Sequence, residues 1–163
     1  MYDSTIPVLQ HFLGALTGVL KKAEAYCEAK KVEPSVLLSD RLYPDMFTLT
    51  RQVQLVTDFA KGAGARLSGN AVPKYEDEEK TMAELHARIA KTVSFLGSLK
   101  KDAFAGAETR DVTLKMRGED VTLKGGDYWS NIVLPNFYFH FATAYNILRH
   151  RGVELGKSDF MGR

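Results

Sequence analysis

The segment DYWSNIVLPNFYFHFATAYNILRHRG, Asp127–Gly152, decides the fold. Asp127 suits the cap of a helix and Gly152 suits its C-terminal stop, where the left-handed conformation favours glycine. Pro135 predicts a kink or break near Val133-Leu134, because proline removes an N–H and crowds the preceding turn. At about 100° per residue from His140, Asn136 and Thr143 fall within about 60°, and Ala144 and Ile147 within about 40°. His140 therefore sits on an otherwise apolar face. A buried imidazole needs hydrogen-bond partners and is driven toward its neutral form. A satisfied core histidine and a ligand or general base both fit that position.

Tyr128, Trp129, Phe137, Tyr138, Phe139, Phe141 and Tyr145 crowd the same stretch. On one helix they cannot all face one core. Tyr138, Tyr145 and Arg149 form a stripe nearly opposite His140. Aromatic residues and arginine are enriched at interfaces, so this face predicts a homodimer.

Upstream, apolar residues recur at helical spacing in three further segments. The first runs from about Ser4 to Ala29, with Ser4 or Thr5 as cap and Pro7 near the first turn. Val8, Leu9, Phe12, Leu13, Leu16, Val19, Leu20 and Ala23 form its stripe. Pro34 marks a linker. The second helix is expected from Pro44 to Leu67, with Met46, Leu49, Val53, Val56, Ala60 and Ala63 on one face, and with Gly62, Gly64 and Gly69 loosening its end. The third begins near Thr81, which has capping-box spacing to Glu84. Its stripe is Met82, Leu85, Ile89, Val93 and Leu96. The preceding run Glu76-Asp77-Glu78-Glu79 reads as a solvated flank suited to the helix dipole.

Residues 111–124 change period. Asp-Val-Thr-Leu-Lys occurs at 111–115 and again at 120–124, alternating apolar and polar around Arg117-Gly118. This predicts a β-hairpin whose apolar face packs on the helices or on another chain. The expected architecture is mainly α: one domain over 1–163, an antiparallel four-helix bundle with a β-hairpin between the third and fourth helices.

Composition narrows the function. The 163 residues are 45% hydrophobic and 26% charged, as in an ordinary globular domain. A single cysteine, Cys27, excludes an internal disulfide framework and a four-cysteine zinc site. With 22 basic against 20 acidic residues, the balance is not that of a nucleic-acid-binding protein. No stretch is apolar enough to span a membrane, and the first residues do not resemble a secretory signal, so a cytoplasmic location is expected. The P-loop, the dinucleotide glycine fingerprint, His-Glu-x-x-His and Gly-x-Ser-x-Gly are all missing.

The bundle interior is then the place for a site. Four histidines allow at most one small metal site. His11 points away from its stripe, His150 sits in a last helical turn where a cation is favourable, and His86 lies at an edge. His140 is left as the usable one. On the second helix, Asp45 and Gln52 flank the stripe centred on Leu49 and Val53. Asp45 fits equally well as a first-turn dipole partner, and Gln52 as a boundary residue. The candidates are thus His140 and Asp45 for catalysis, and Asn136, Gln52, Trp129 and Thr143 for ligand binding.

Several segments carry a family resemblance: Leu-Tyr-Pro-Asp-Met-Phe at 42–47, Arg-Gln-Val-Gln at 51–54, Asp-Phe-Ala-Lys at 58–61, and Leu-Pro-Asn-Phe-Tyr-Phe-His at 134–140. So does the run from Ile147 to Phe160. Over its full length the chain resembles an uncharacterised bacterial branch of the DinB/YfiT-like superfamily. The resemblance implies a four-helix bundle, in a superfamily many of whose members are assigned as metal-dependent enzymes. Their usual site takes one histidine from the second helix and a His-x-x-x-His pair from the fourth. With the helix-ending glycine as ruler, His140 matches the second histidine of the pair and Asn136 falls where the first would be. Gln52 is best placed for the second-helix ligand. One imidazole with two amides is a poor zinc site. The resemblance therefore implies a degenerate centre, with no metal or a weakly held divalent ion (zinc, nickel or manganese) at His140. The expected function is small-molecule binding in a polar interior pocket. Alternatives are a metal-dependent hydrolase or thiol transferase, and a non-catalytic structural homodimer.

Overall fold

The computed structural model describes residues 1–163. The protein is mainly helical, with one small two-stranded antiparallel hairpin. Its elements are α1 (Tyr2–Lys30), α2 (Pro34–Ser39), α3 (Leu49–Ser68), α4 (Met82–Ser98), a 3-10 turn (Lys101–Phe104), β1 (Asp111–Met116), β2 (Glu119–Lys124), α5 (Gly125–Asp127), a π-helical segment (Tyr128–Val133), α6 (Leu134–His150) and α7 (Lys157–Phe160).

Helix α1 begins earlier than expected. Ser4 and Thr5 do not cap it; their hydroxyls bond back to the Met1 carbonyl inside the first turn. Its buried stripe runs Ile6, Leu9, Leu13, Leu16, Leu20, Ala23 and Cys27. The expected linker at Pro34 forms the short helix α2, with proline in the first turn, where its missing N–H has no intrahelical acceptor to lose.

Helix α3 starts at Leu49, not at Pro44. Thr48 is the true cap, its hydroxyl accepting from the Arg51 N–H at 3.4 Å. The chain ahead of it turns back, and the Leu49 N–H bonds the Asp40 carbonyl at 2.8 Å. Gly62 and Gly64 do not loosen the helix, which continues to Ser68 and ends at Gly69 in the left-handed conformation. Gly64 instead admits α4 closely: a Cβ there would stand 2.6 Å from Leu96 Cδ2 and 2.9 Å from Leu99 Cδ1.

Helix α4 carries the capping box between Thr81 and Glu84 in both directions. In the hairpin, Val112 pairs with Leu123 and Leu114 with Val121. Arg117 and Gly118 both adopt positive φ, 52° and 91°, as a two-residue turn matching strand twist requires. Val112 is buried beneath the hairpin.

Before α6 the backbone widens into a π-helical segment and returns to α at Leu134, one residue ahead of Pro135. Proline cannot donate to the carbonyl four residues earlier, and the π turn accommodates that missing bond. Asn136 Nδ2 donates to the Ile132 carbonyl at 2.7 Å, satisfying an acceptor in the disturbed turn.

The core is one cluster in which Leu9, Leu13, Val53, Val56, Leu85, Leu96, Phe137 and Phe141 are nearly inaccessible. Phe141 stacks on Phe160 of α7 with ring centres 4.4 Å apart. Tyr138 and Tyr145, expected to face a partner subunit, are half-buried in the same chain against Phe12 and Phe160. Arg149 alone of that stripe is exposed. No helix is long and apolar enough to cross a membrane.

Candidate functional site

Helices α3 and α6 pack along their lengths and bring Gln52 and His140 together. His140 Nδ1 lies 2.7 Å from Gln52 Oε1. The other end of the amide is committed too, since Gln52 Nε2 donates to the Phe47 carbonyl at 3.2 Å. That bond fixes which amide atom faces the imidazole. Because Gln52 presents its oxygen, Nδ1 carries the proton and donates, and Nε2 keeps its lone pair. Nε2 makes no hydrogen bond within the chain and reaches the surface.

Phe59 stacks over the imidazole at 5.7 Å with the planes 18° apart, and Phe139 meets its edge at 5.3 Å. Gln52 is 1% exposed and His140 8%. Burial among these rings, with a smaller contribution from the Arg51 guanidinium, lowers the His140 pKa to about 4. The imidazole is neutral at physiological pH. Phe139, whose ring meets the imidazole edge, is itself exposed, so the imidazole borders an aromatic patch of the surface.

The remaining expected residues are placed elsewhere. Asp45 is exposed in the turn before α3, because that helix begins at Leu49; its carboxylate makes no hydrogen bond or ion pair. The Asn136 amide is turned onto the Ile132 carbonyl. Thr143 is buried, and its hydroxyl bonds the Phe139 carbonyl at 2.7 Å. Trp129 is half-buried and lines a different depression with Met1, Ser4, Glu108 and Lys124. Of the other histidines, His86 Nε2 lies 3.0 Å from Glu24 Oε2 and His11 Nε2 lies 2.8 Å from the Met161 carbonyl; neither is near His140 in the chain's hydrogen-bond network.

This donor set does not fit a divalent metal centre. It offers one imidazole lone pair, an amide oxygen already accepting a bond, and no adjacent carboxylate. Nowhere do three or more His, Cys, Asp or Glu side chains converge in a metal-binding arrangement. Arg51 adds positive charge where a cation would bind. The metal ligands implied by the family resemblance are reduced here to His140 Nε2.

Three contributors escape the sequence patterns. Phe59 lies seven residues beyond Gln52, on nearly the same helix face, and that spacing was available as a signal. Phe47 contributes through its backbone, which no pattern announces. Arg88 is the largest omission. It is 3% exposed within the α4 stripe between Leu85 and Thr92. Its Nε donates to Thr57 Oγ1 at 2.7 Å, and its outer nitrogens reach Asp58 at 2.7 Å, Glu79 at 3.0 Å and Asp77 at 3.0 Å. The run 76–79 is thus no simple solvated flank: two of its carboxylates are drawn onto a buried guanidinium. Glu79 also accepts from Gln54 Nε2 at 2.8 Å, and Asp77 from Arg51 at 2.5 Å. Through Arg51 this network adjoins Gln52 and His140. An arginine inside an otherwise apolar stripe was the available signal.

Comparison with known proteins agrees with this architecture. A family model described as a domain of unknown function, DUF1993, matches residues 1–161. The crystal structure of a DinB family member protein from Shewanella denitrificans is similar at 43% sequence identity and a TM-score of 0.94, covering 99% of this chain and 92% of that one. No curated protein matches the chain.

Proposed function

Because the chain belongs to the DUF1993 family, a DinB-like domain of unknown function, we propose its function from its own side chains: it binds a small molecule, and His140 Nε2 accepts a hydrogen bond from that ligand. In this reading the four long helices α1, α3, α4 and α6 form an antiparallel bundle as one domain, the hairpin is inserted between the third and fourth of them, and the superfamily's metal centre has degenerated. The observation that carries the reading is the Gln52–His140 bond of 2.7 Å. It holds the imidazole in one tautomer with its lone pair outward.

Chemistry favours binding over catalysis at this position. A general base works best with a pKa near the operating pH. An imidazole whose pKa is about 4 is a weak base but a dependable hydrogen-bond acceptor, since it stays unprotonated. The exposed ring of Phe139 supplies apolar surface for the ligand's body. The hydrolase or transferase alternative rests on the same Nε2 acting as base or metal ligand.

Two measurements test the proposal together. Elemental analysis of protein purified without a histidine tag should find zinc, nickel and manganese well below stoichiometry. A fragment screen followed by NMR should find ligands bearing an O–H or N–H donor that move the His140 Nε2 resonance and lose affinity in His140→Ala. Stoichiometric metal that is lost in His140→Ala would overturn the reading in favour of the enzyme.

A further inference from the structure

The hairpin does not close completely onto the helices. A groove of about 510 Å³ lies between β1–β2 and the surface of α3 and the π-helical segment, with Leu55, Phe59, Leu114 and Ile132 as its apolar lining. That volume suits a small molecule. The polar end of the groove is built by Arg66 and Tyr128. The Arg66 guanidinium lies against the bare backbone of Gly62, where a Cβ would stand 2.6 Å from Nη1. Nη1 donates to the Tyr128 hydroxyl at 3.2 Å.

That bond spends one of the five guanidinium donors, and Arg66 has no carboxylate partner in the chain. Tyr128 is 2% exposed, accepts from Arg66, and finds no acceptor for its own O–H. Two neighbouring groups thus offer donors: the remaining Arg66 N–H groups and the Tyr128 O–H have no acceptor in the chain. The other charges along the groove stand beside or opposite charges of the other sign. Asp58 is held by Lys61 at 2.6 Å and Arg88 at 2.7 Å. Lys115 and Asp120 are opposite-charge register partners across the hairpin. Arg66 is left as the groove charge with no carboxylate opposite it.

We propose that this groove binds a small carboxylate with an apolar or aromatic body. The carboxylate meets Arg66 and Tyr128, and the body lies against Phe59 and Ile132. A guanidinium fork matches a carboxylate with two parallel N–H···O bonds. The assignment is independent of the role given to His140, although Phe59 borders both places.

Calorimetric titration of the full chain with benzoate, benzamide and phenyl phosphate tests it. Benzoate binds; benzamide, lacking the charge, binds at least about tenfold more weakly; phenyl phosphate is weaker than benzoate. Arg66→Gln lowers benzoate affinity about tenfold or more, Arg66→Lys restores part of it, and Tyr128→Phe costs a few-fold. In the wild type, benzoate shifts the backbone amide signals of Phe59, Thr113 and Leu114. The proposal is overturned if benzoate does not bind, if benzamide or phenyl phosphate binds as tightly, or if Arg66→Gln binds equally well. Should Arg66→Gln fail to fold, the amide map and Tyr128→Phe decide: shifts confined to other regions, or unchanged affinity in Tyr128→Phe, also overturn it.

Discussion

His140 Nδ1 and Gln52 Oε1 meet at 2.7 Å across α3 and α6. The bond has a direction, because Gln52 Nε2 is tied to the Phe47 carbonyl and leaves only oxygen for the imidazole. A backbone carbonyl ahead of α3 thereby dictates the tautomer of a side chain on α6.

The His140 pKa falls from the ordinary 6.5 to about 4 on folding. Above pH 6.5 neither state is protonated there and the group has no effect. Below it the unfolded chain takes up a proton that the folded protein refuses, so stability falls as pH drops toward 4 and the effect saturates below that. The loss is about 3 kcal/mol at most. Urea unfolding of the wild type and His140→Gln checks this. Any advantage of the wild type should shrink between pH 6.5 and 4, and a pH-independent difference would count against the account.

Gln52→Leu leaves a buried Nδ1–H without its acceptor and costs about 1–3 kcal/mol. Gln52→Glu places a carboxylate beside the ring and raises the His140 pKa, because the charged pair favours imidazolium. Denaturant melts report the first and an NMR titration of His140 the second.

Arg88→Met removes the guanidinium but leaves Asp58, Glu79 and Asp77 facing each other. Breaking a buried ion pair from one side costs about 3–5 kcal/mol. Residues 76–79 should then lose their anchorage, which hydrogen exchange on that segment detects as faster exchange in the variant. Equal stability and equal exchange would mean that the network holds nothing in place.

Gly64→Ala drives a methyl into Leu96 and Leu99. Overpacking of this kind costs about 1–3 kcal/mol. Alanine is the better helix former, so the same change at an unpacked position would stabilise the helix. Thermal unfolding should therefore show a lowered midpoint.

Much of this arrangement was legible in the residues. Helical spacing located the α1, α3, α4 and α6 stripes, Arg117-Gly118 located the hairpin turn, and helix-wheel positions put His140 on an apolar face and Gln52 on the flank of its stripe. What escaped depends on partners distant in the chain. Asp45 was assigned to a helix turn because Pro44 looked like a start, whereas Thr48 supplies the better cap. Asn136 shares a face with His140, but Pro135 disturbs the turn and the amide goes to Ile132. The acidic run looked solvated because Arg88, which draws it inward, lies on the next helix. Tyr138 and Tyr145 looked outward, but Phe12 of α1 packs on the first and Phe160 of α7 folds back onto the second. Local periodicity carries no information about such returns.

The most direct test of the account is a long-range proton–nitrogen NMR spectrum of His140 at neutral pH, recorded before and after one equivalent of zinc. Nδ1 should be protonated and Nε2 unprotonated, with no stoichiometric change on adding zinc. An imidazolium, a proton on Nε2, or an Nε2 signal that shifts to completion with one equivalent of zinc would contradict it.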